Sequence, residues 1–257
     1  MIKIGIANVA ARMHVAHEHF TGGRTVLFES AAGETPGPQA FLVEQPPDFR
    51  LSTHYHRQEQ FQVVVRGSGT LASHPLSAIA VHYSSREAGY GPIVSGSQGL
   101  DYLTLRLVSE AGAQYLPEKR DGLRRGLRKS HATVLHTPRV PADASLPPAA
   151  HGVVTLIAPR DDGLAAWSSL VPAGERAELP GPVDGSGRFH VVVGGAFVLN
   201  GTPLPYSSAV HASNDEKDLA FIAVDGPAEL LTLQFPDGAD RDDYELAQRR
   251  SASPTAG

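Results

Sequence analysis

The sequence predicts an all-β protein built from two tandem barrels that arose by internal duplication, with few short helices. Three observations predict it. The chain matches itself at a fixed offset. Its β-branched and apolar residues come in short runs rather than at helical spacing. Glycine and proline, 26 and 20 of 257 residues, break those runs at close intervals, which suits strands joined by tight turns.

The duplication is the strongest of the three. Phe61-Gln-Val-Val-Val-Arg-Gly67 matches Phe189-His-Val-Val-Val-Gly-Gly195, 128 residues further on. The same offset pairs Leu42 with Leu170, Leu51 with Leu179, Leu71 with Leu199, Leu76 with Leu204 and Leu103 with Leu231. Ala80-Val-His82 meets Ala209-Val-His211 after a shift of one residue. Solenoid repeats run about 20–50 residues, so a period this long means two whole domains.

The elements follow in order. Residues 41–43, 60–65 and 102–107 are short β-branched or aromatic runs and read as strands. Leu116 to Lys129 is a helix candidate whose many charges suit a solvated connector, and Asp240 to Arg250 is a second. Pro138 to Pro148 reads as a loop. The expected divisions are a first barrel over 1–122, a connector and start of the second half over 123–150, a second barrel over 151–245, and a disordered tail over 246–257.

Composition excludes several functions. A net charge of -5 with no dominant basic patch argues against nucleic acid. The absence of cysteine removes disulfides, thiolate metal sites and cysteine nucleophiles. The opening residues are too polar and their apolar run too short for a signal peptide. No stretch approaches the ~20 apolar residues of a membrane helix. The expectation is a cytoplasmic protein with no membrane partner.

The chemistry sits between Leu51 and Gly67. His54 and His56 are two apart, so on a strand they face one side. Gln60 and Gln62 share a face on the next strand. A turn at Arg57 to Glu59 would bring two imidazoles and a carboxamide together inside a barrel. Such nitrogen and oxygen donors suit Fe, Mn, Ni, Zn or Cu. Gly67 would close the hairpin at the far end.

This spacing resembles the first motif of the cupin superfamily, G-x5-H-x-H-x3,4-E-x6-G. The match runs from His54 onward, with Asp48 in place of the leading glycine and Gln60 in place of glutamate. Glu59 sits beside Gln60 but needs a bulge to share its face. The second motif, which supplies a last histidine, is poorly kept. Its histidine position falls at Val94 or Ser97, and the nearest candidates are His82, Glu87 and Tyr90. The resemblance implies two cupin-type jelly-roll barrels. It also implies one divalent transition metal per chain at His54, His56 and Gln60, with Glu59, Gln62, His82, Glu87 or Tyr90 as a further ligand or a support behind the ligands. At the offset, those three positions become Pro182, Asp184 and Arg188, so the second barrel keeps the scaffold without the ligands.

Other residues carry blander readings. His82 and His211 recur in both halves, which suggests a buried imidazole bonded across strands. The cluster His14, His17 and His19 reads as solvated. Arg57, Arg106 and Tyr90 read as ordinary surface residues, with an anionic substrate as the alternative. The leading functional expectation is a metal-dependent oxidoreductase of dioxygenase type acting on a small anionic or chelating molecule. A metal-dependent lyase or isomerase is the alternative, and a non-catalytic, small-molecule-binding bicupin is the third. A homodimer formed through sheet faces is an expectation from the resemblance.

Overall fold

Strict alternation organises both halves. Along Gln60 to Val65, residues Phe61, Val63 and Val65 join one buried apolar cluster, while Gln60, Gln62 and Val64 turn the other way. A computed structural model of the chain shows what each face meets. It describes residues 1–31, 33–110, 112–124, 131–137, 140, 151–180, 185–216 and 218–241.

The strands of the first half are β1 (Ile2–Gly5), β2 (Arg12–His17), β3 (Phe20–Phe28), β4 (Gln39–Gln45), β5 (Arg50–Leu51), β6 (His54–Tyr55), β7 (Gln60–Leu71), β8 (His74–Ser77), β9 (Ala80–Ser84), β10 (Ile93–Arg106) and β11 (Gln114–Tyr115). They are followed by β12 (His131–Leu135), β13 (Gly152–Ile157), β14 (Ala165–Val171), β15 (Gly187–Leu199), β16 (Thr202–Leu204), β17 (Ala209–Ala212) and β18 (Phe221–Phe235). One sheet runs β12-β9-β7-β10-β4-β3-β2, with β5 on β10 and β8 on β7. The other runs β1-β17-β15-β18-β14-β13, with β16 on β15. The small ladder β6-β11 stands apart. Every ladder is antiparallel, and the two large sheets form jelly-roll barrels of cupin type, as the sequence predicts.

Two strands cross the linear divisions. β1 pairs with β17 in the second sheet, Ile4 opposite Val210. β12 pairs with β9 in the first sheet, Thr133 opposite His82. Because β9 and β17 are the repeated segments, each barrel borrows the equivalent strand from the other half.

The barrels pack through one face of each sheet. Phe61 meets Phe235 edge-on at 4.9 Å between ring centroids, and Phe28 stacks on Phe189 at 6.1 Å. Burying a phenylalanine is worth roughly 1.5–3 kcal/mol, and an aromatic pair adds about 0.5–1.5 kcal/mol. The inner faces close separate cores: Leu51, Val64, Leu71 and Tyr102 in the first barrel, Val192, Phe197, Phe221 and Leu230 in the second.

Two expectations change. Gly67 lies inside β7, opposite Leu100, and the β7–β8 hairpin turns beyond Leu71. Its φ of +79° and the close approach of the Gly99 carbonyl explain the glycine instead. The helix expected from Leu116 is a single 3-10 turn, Arg120–Gly122, among the described residues. Leu123 directly after it is already extended, with ψ of 131°, and Gly122 lies too close to the Tyr55 hydroxyl to carry a side chain. The remainder of that segment, 125–129, lies outside the described residues, as do 242–250 of the second helix expectation and the whole 246–257 tail. Among the described residues no helix is long and apolar enough to cross a membrane.

Candidate functional site

Backbone pairing sets the geometry. His54 and Tyr90 exchange hydrogen bonds, His54 N to Tyr90 O at 3.1 Å and Tyr90 N to His54 O at 2.9 Å. The chain then turns through His56 to Glu59 and enters β7. Antiparallel pairing of β7 with β10, Phe61 opposite Leu105, sets Gln60 across from Arg106. Within β10, Tyr102, Thr104 and Arg106 face the barrel interior, while Leu103 and Leu105 face the other barrel.

The hydrogen bonds fix the tautomers. His54 Nδ1 lies 2.7 Å from the Ser52 carbonyl, which can only accept, so Nδ1 carries the proton. Its Nε2 is then the acceptor for the Tyr90 hydroxyl at 2.9 Å. Gln60 Nε2 donates to the same hydroxyl at 2.5 Å. Glu110 accepts from His56 Nδ1, which leaves His56 Nε2 as a lone pair. Arg106 Nη2 lies beside the ring, 3.0 Å from Nδ1 and 3.4 Å from Nε2, and off the direction of that lone pair. Gln60 Oε1 accepts from Arg106 Nε at 3.2 Å and from Nη2 at 2.9 Å, while Nη1 donates to Gln39 Oε1 at 2.8 Å.

Burial governs the electrostatics. His54 is held down to about 3, first by burial and then by His56. His56 is also lowered by burial, against the pull of Glu110. Burial alone would raise Glu110, but His56 and Arg106 outweigh it and hold the carboxyl at about 2. Burial raises the Tyr90 phenol above its ordinary value. The floor at neutral pH therefore holds two neutral imidazoles, a neutral phenol, a carboxylate and a guanidinium. Glu110 and Arg106 form an ion pair at 3.3 Å.

The structure thus brings His54, His56, Gln60 and Tyr90 together. Gln62 lines the cavity above them. Glu59 points away, accepts from the Tyr83 hydroxyl and pairs with Arg86 at 3.3 Å, and Arg86 reaches the second half at Gly238 O, 2.6 Å away. Glu87 donates its backbone N–H to the His56 carbonyl at 2.6 Å, and its carboxylate reaches Arg124 at 3.8 Å. His82 Nδ1 bonds across strands to Thr133 Oγ1 at 2.9 Å, and its ring lies 5.2 Å from that of Tyr90. Arg106 and Tyr90 are not surface residues; they are 2% and 6% exposed. The sequence offered a signal for Arg106: it continues the inward alternation of Tyr102 and Thr104. Glu110 and Gln39 carried none. Pro182 and Asp184 lie outside the described residues.

Above the floor is a cavity of about 290 Å³. Its walls are largely apolar and aromatic, with Phe20, Phe41, Val43, Leu51, Tyr102 and Tyr115. His17 also lines it, and His19 stacks on Tyr115 at 3.9 Å between centroids. Arg24 stands over the Phe41 ring at 4.4 Å.

Does this floor fit a divalent ion? Two of the three donor atoms are engaged, His54 Nε2 by the Tyr90 hydroxyl and Gln60 Oε1 by Arg106, whose guanidinium also lies beside the His56 ring. A divalent ion about 4 Å from that guanidinium would meet about 8 kcal/mol of repulsion at an effective dielectric near 20, offset in part by the Glu110 carboxylate paired with it. Glu110, the nearest carboxylate, is already bound to His56, Arg106 and the Arg57 amide. Among the described residues no group of three His, Asp or Glu side chains is placed to hold a metal. In this arrangement the residues do not fit the ion.

No protein-family model matches the chain, and no curated protein does. Solved structures match it in fold. The Escherichia coli pirin YhhW, in complex with nickel(II), is 14% identical over 92% of this chain and 100% of that one, with a TM-score of 0.56. A candidate dioxygenase from Nostoc punctiforme is 9% identical over 94% of this chain and 85% of that one, at 0.60. A Bacillus subtilis oxalate decarboxylase variant is 12% identical over 91% and 77%, at 0.54. The fold is the cupin fold. At these identities the likeness carries the fold alone.

Proposed function

We propose that the first barrel binds a small organic anion, a carboxylate on an apolar or aromatic body, in the cavity above His54, His56 and Arg106. The observation that supports it is the lining itself. Aromatic and aliphatic walls enclose about 290 Å³, enough for a one-ring molecule. Two guanidinium groups, Arg24 and Arg106, line the cavity with one carboxylate, Glu110; Arg24 is also paired with Glu29 at 2.9 Å, so the anion preference rests on the N–H donors these groups present rather than on net charge. Arg24 at the wall, together with the Thr104 and Tyr102 hydroxyls, supplies donors for the head group.

Calorimetric titration with benzoate tests this directly. Benzoate is expected to bind, benzamide at least about tenfold more weakly, and Arg24→Ala to lose about tenfold, or about 1.4 kcal/mol. Equal affinity for the acid and the amide would overturn the anion reading.

The second reading is a metal-dependent cupin enzyme, a dioxygenase or a lyase or isomerase, with one ion per chain at His54, His56 and Gln60. Two neutral imidazoles on one floor favour it, as does a fold neighbour solved with nickel(II). It requires Arg106 to withdraw from the donor set. Stoichiometric metal in the purified chain would favour it over the first.

A further inference from the structure

We infer that the guanidinium of Arg106 takes the cation position of this barrel, bonded to Gln60 Oε1 and lying beside the His56 ring, so that the site works without a metal ion. The inference rests on the floor and not on which molecule fills the cavity above it.

Three independent features carry it. The first is orientation. Arg106 is 2% exposed and donates to Gln39 and Gln60, with His56 and Glu110 within contact distance. Withdrawing it would strand several buried acceptors at once. The second is closure of the remaining position. The Tyr90 hydroxyl sits between His54 Nε2 and Gln60 Nε2, at 2.9 and 2.5 Å, where another ligand would have to enter. The third is the duplication. Arg188 pairs directly with Gln234 across β15 and β18. These two positions are the repeats of Gln60 and Arg106 with the residue types exchanged. Arg188 is 3% exposed and donates to the Glu216 carbonyl at 3.0 Å. The second half has no His-x-His pair, yet it keeps one buried guanidinium beside one carboxamide at the same place. A buried guanidinium thus recurs in the half without the His-x-His pair, held there by the Pro180 and Glu216 carbonyls rather than by Gln234.

Titration of the full chain with nickel(II) and zinc(II), with elemental analysis of the purified protein, tests the assignment. The wild type is expected to take up no stoichiometric metal at this site. Arg106→Met is expected to bind one nickel(II) per chain, and His54→Ala in that background to abolish the uptake. The second step separates the site from the exposed His14 and His17. Arg106→Lys keeps the charge and is expected to stay metal-free. Uptake of one equivalent by the wild type, lost in His54→Ala, would overturn the inference. So would a folded Arg106→Met that stays metal-free. If Arg106→Met does not fold, the wild type against His54→Ala decides. Benzoate binding is scored separately, so failure of the ligand proposal leaves this result intact.

Discussion

The Tyr90 hydroxyl satisfies two neighbours at once. It donates to His54 Nε2 and accepts from Gln60 Nε2. Removing it leaves both buried groups without that partner. Tyr90→Phe is therefore expected to lower stability by about 1–3 kcal/mol, the usual cost of stranding a buried polar group. Urea unfolding checks it: the midpoint should fall while the slope stays unchanged. Motif spacing named His54, His56 and Gln60 but pointed to Val94 or Ser97 for the last position, with Tyr90 only one of several nearby candidates. Arg106 was missed as a floor residue because a charge near a strand end looks exposed. Only the alternation with Tyr102 and Thr104, set against the outward Leu103 and Leu105, could have placed it inside.

Strands explain what the repeat could and could not reveal. The offset identified β7 with β15 and β9 with β17, since alternation and length repeat along the chain. It could not assign β1 and β12, because equivalent strands fit equivalent edges in either barrel. The exchange makes an expectation specific to one barrel. Deleting residues 1–5 should expose the edge of β17, so amide exchange should rise at Ala209–Ala212 while Ala80–Ser84, still covered by β12, keeps its protection. Glycine positions give a second test. Gly67 and Gly174 have nearly the same φ, +79° and +78°. A side chain at Gly67 would overlap the Gly99 carbonyl, whereas one at Gly174 meets nothing within 4 Å. Gly174→Ala is expected to cost only the left-handed backbone term, about 1 kcal/mol. Gly67→Ala should cost clearly more, because backbone must shift as well. Equal losses in urea unfolding would mean that close approach across β7 and β10 does not require a glycine at 67.

At the scale of the whole molecule, buried histidines make acid the main threat to the fold. Burial holds His54, His82 and His190 at about 3 and His211 at about 4, all far below the ordinary 6.5. They lie in both barrels, so the effect is global. A depressed histidine stays neutral in the folded chain while the unfolded chain takes up a proton below 6.5. Folding stability is therefore full above that value and is lost as pH falls toward 3. Each group loses about 1.4 kcal/mol per pH unit in that window. At pH 5 each has lost about 2 kcal/mol, and the four together about 8 kcal/mol, comparable with a typical total of about 5–15 kcal/mol. Glu110 adds its share later, because its carboxylate, held at about 2, is lost only below the ordinary 4.5. The urea midpoint should thus fall steeply between pH 6.5 and 5, before carboxylates titrate. Replacing His190 by glutamine, a neutral side chain of similar size, should flatten the slope by about a quarter while leaving the first barrel's cavity unchanged. A midpoint constant from pH 7 to 5 would mean that these imidazoles gain solvent or a partner on protonation, and that the cores open locally rather than together.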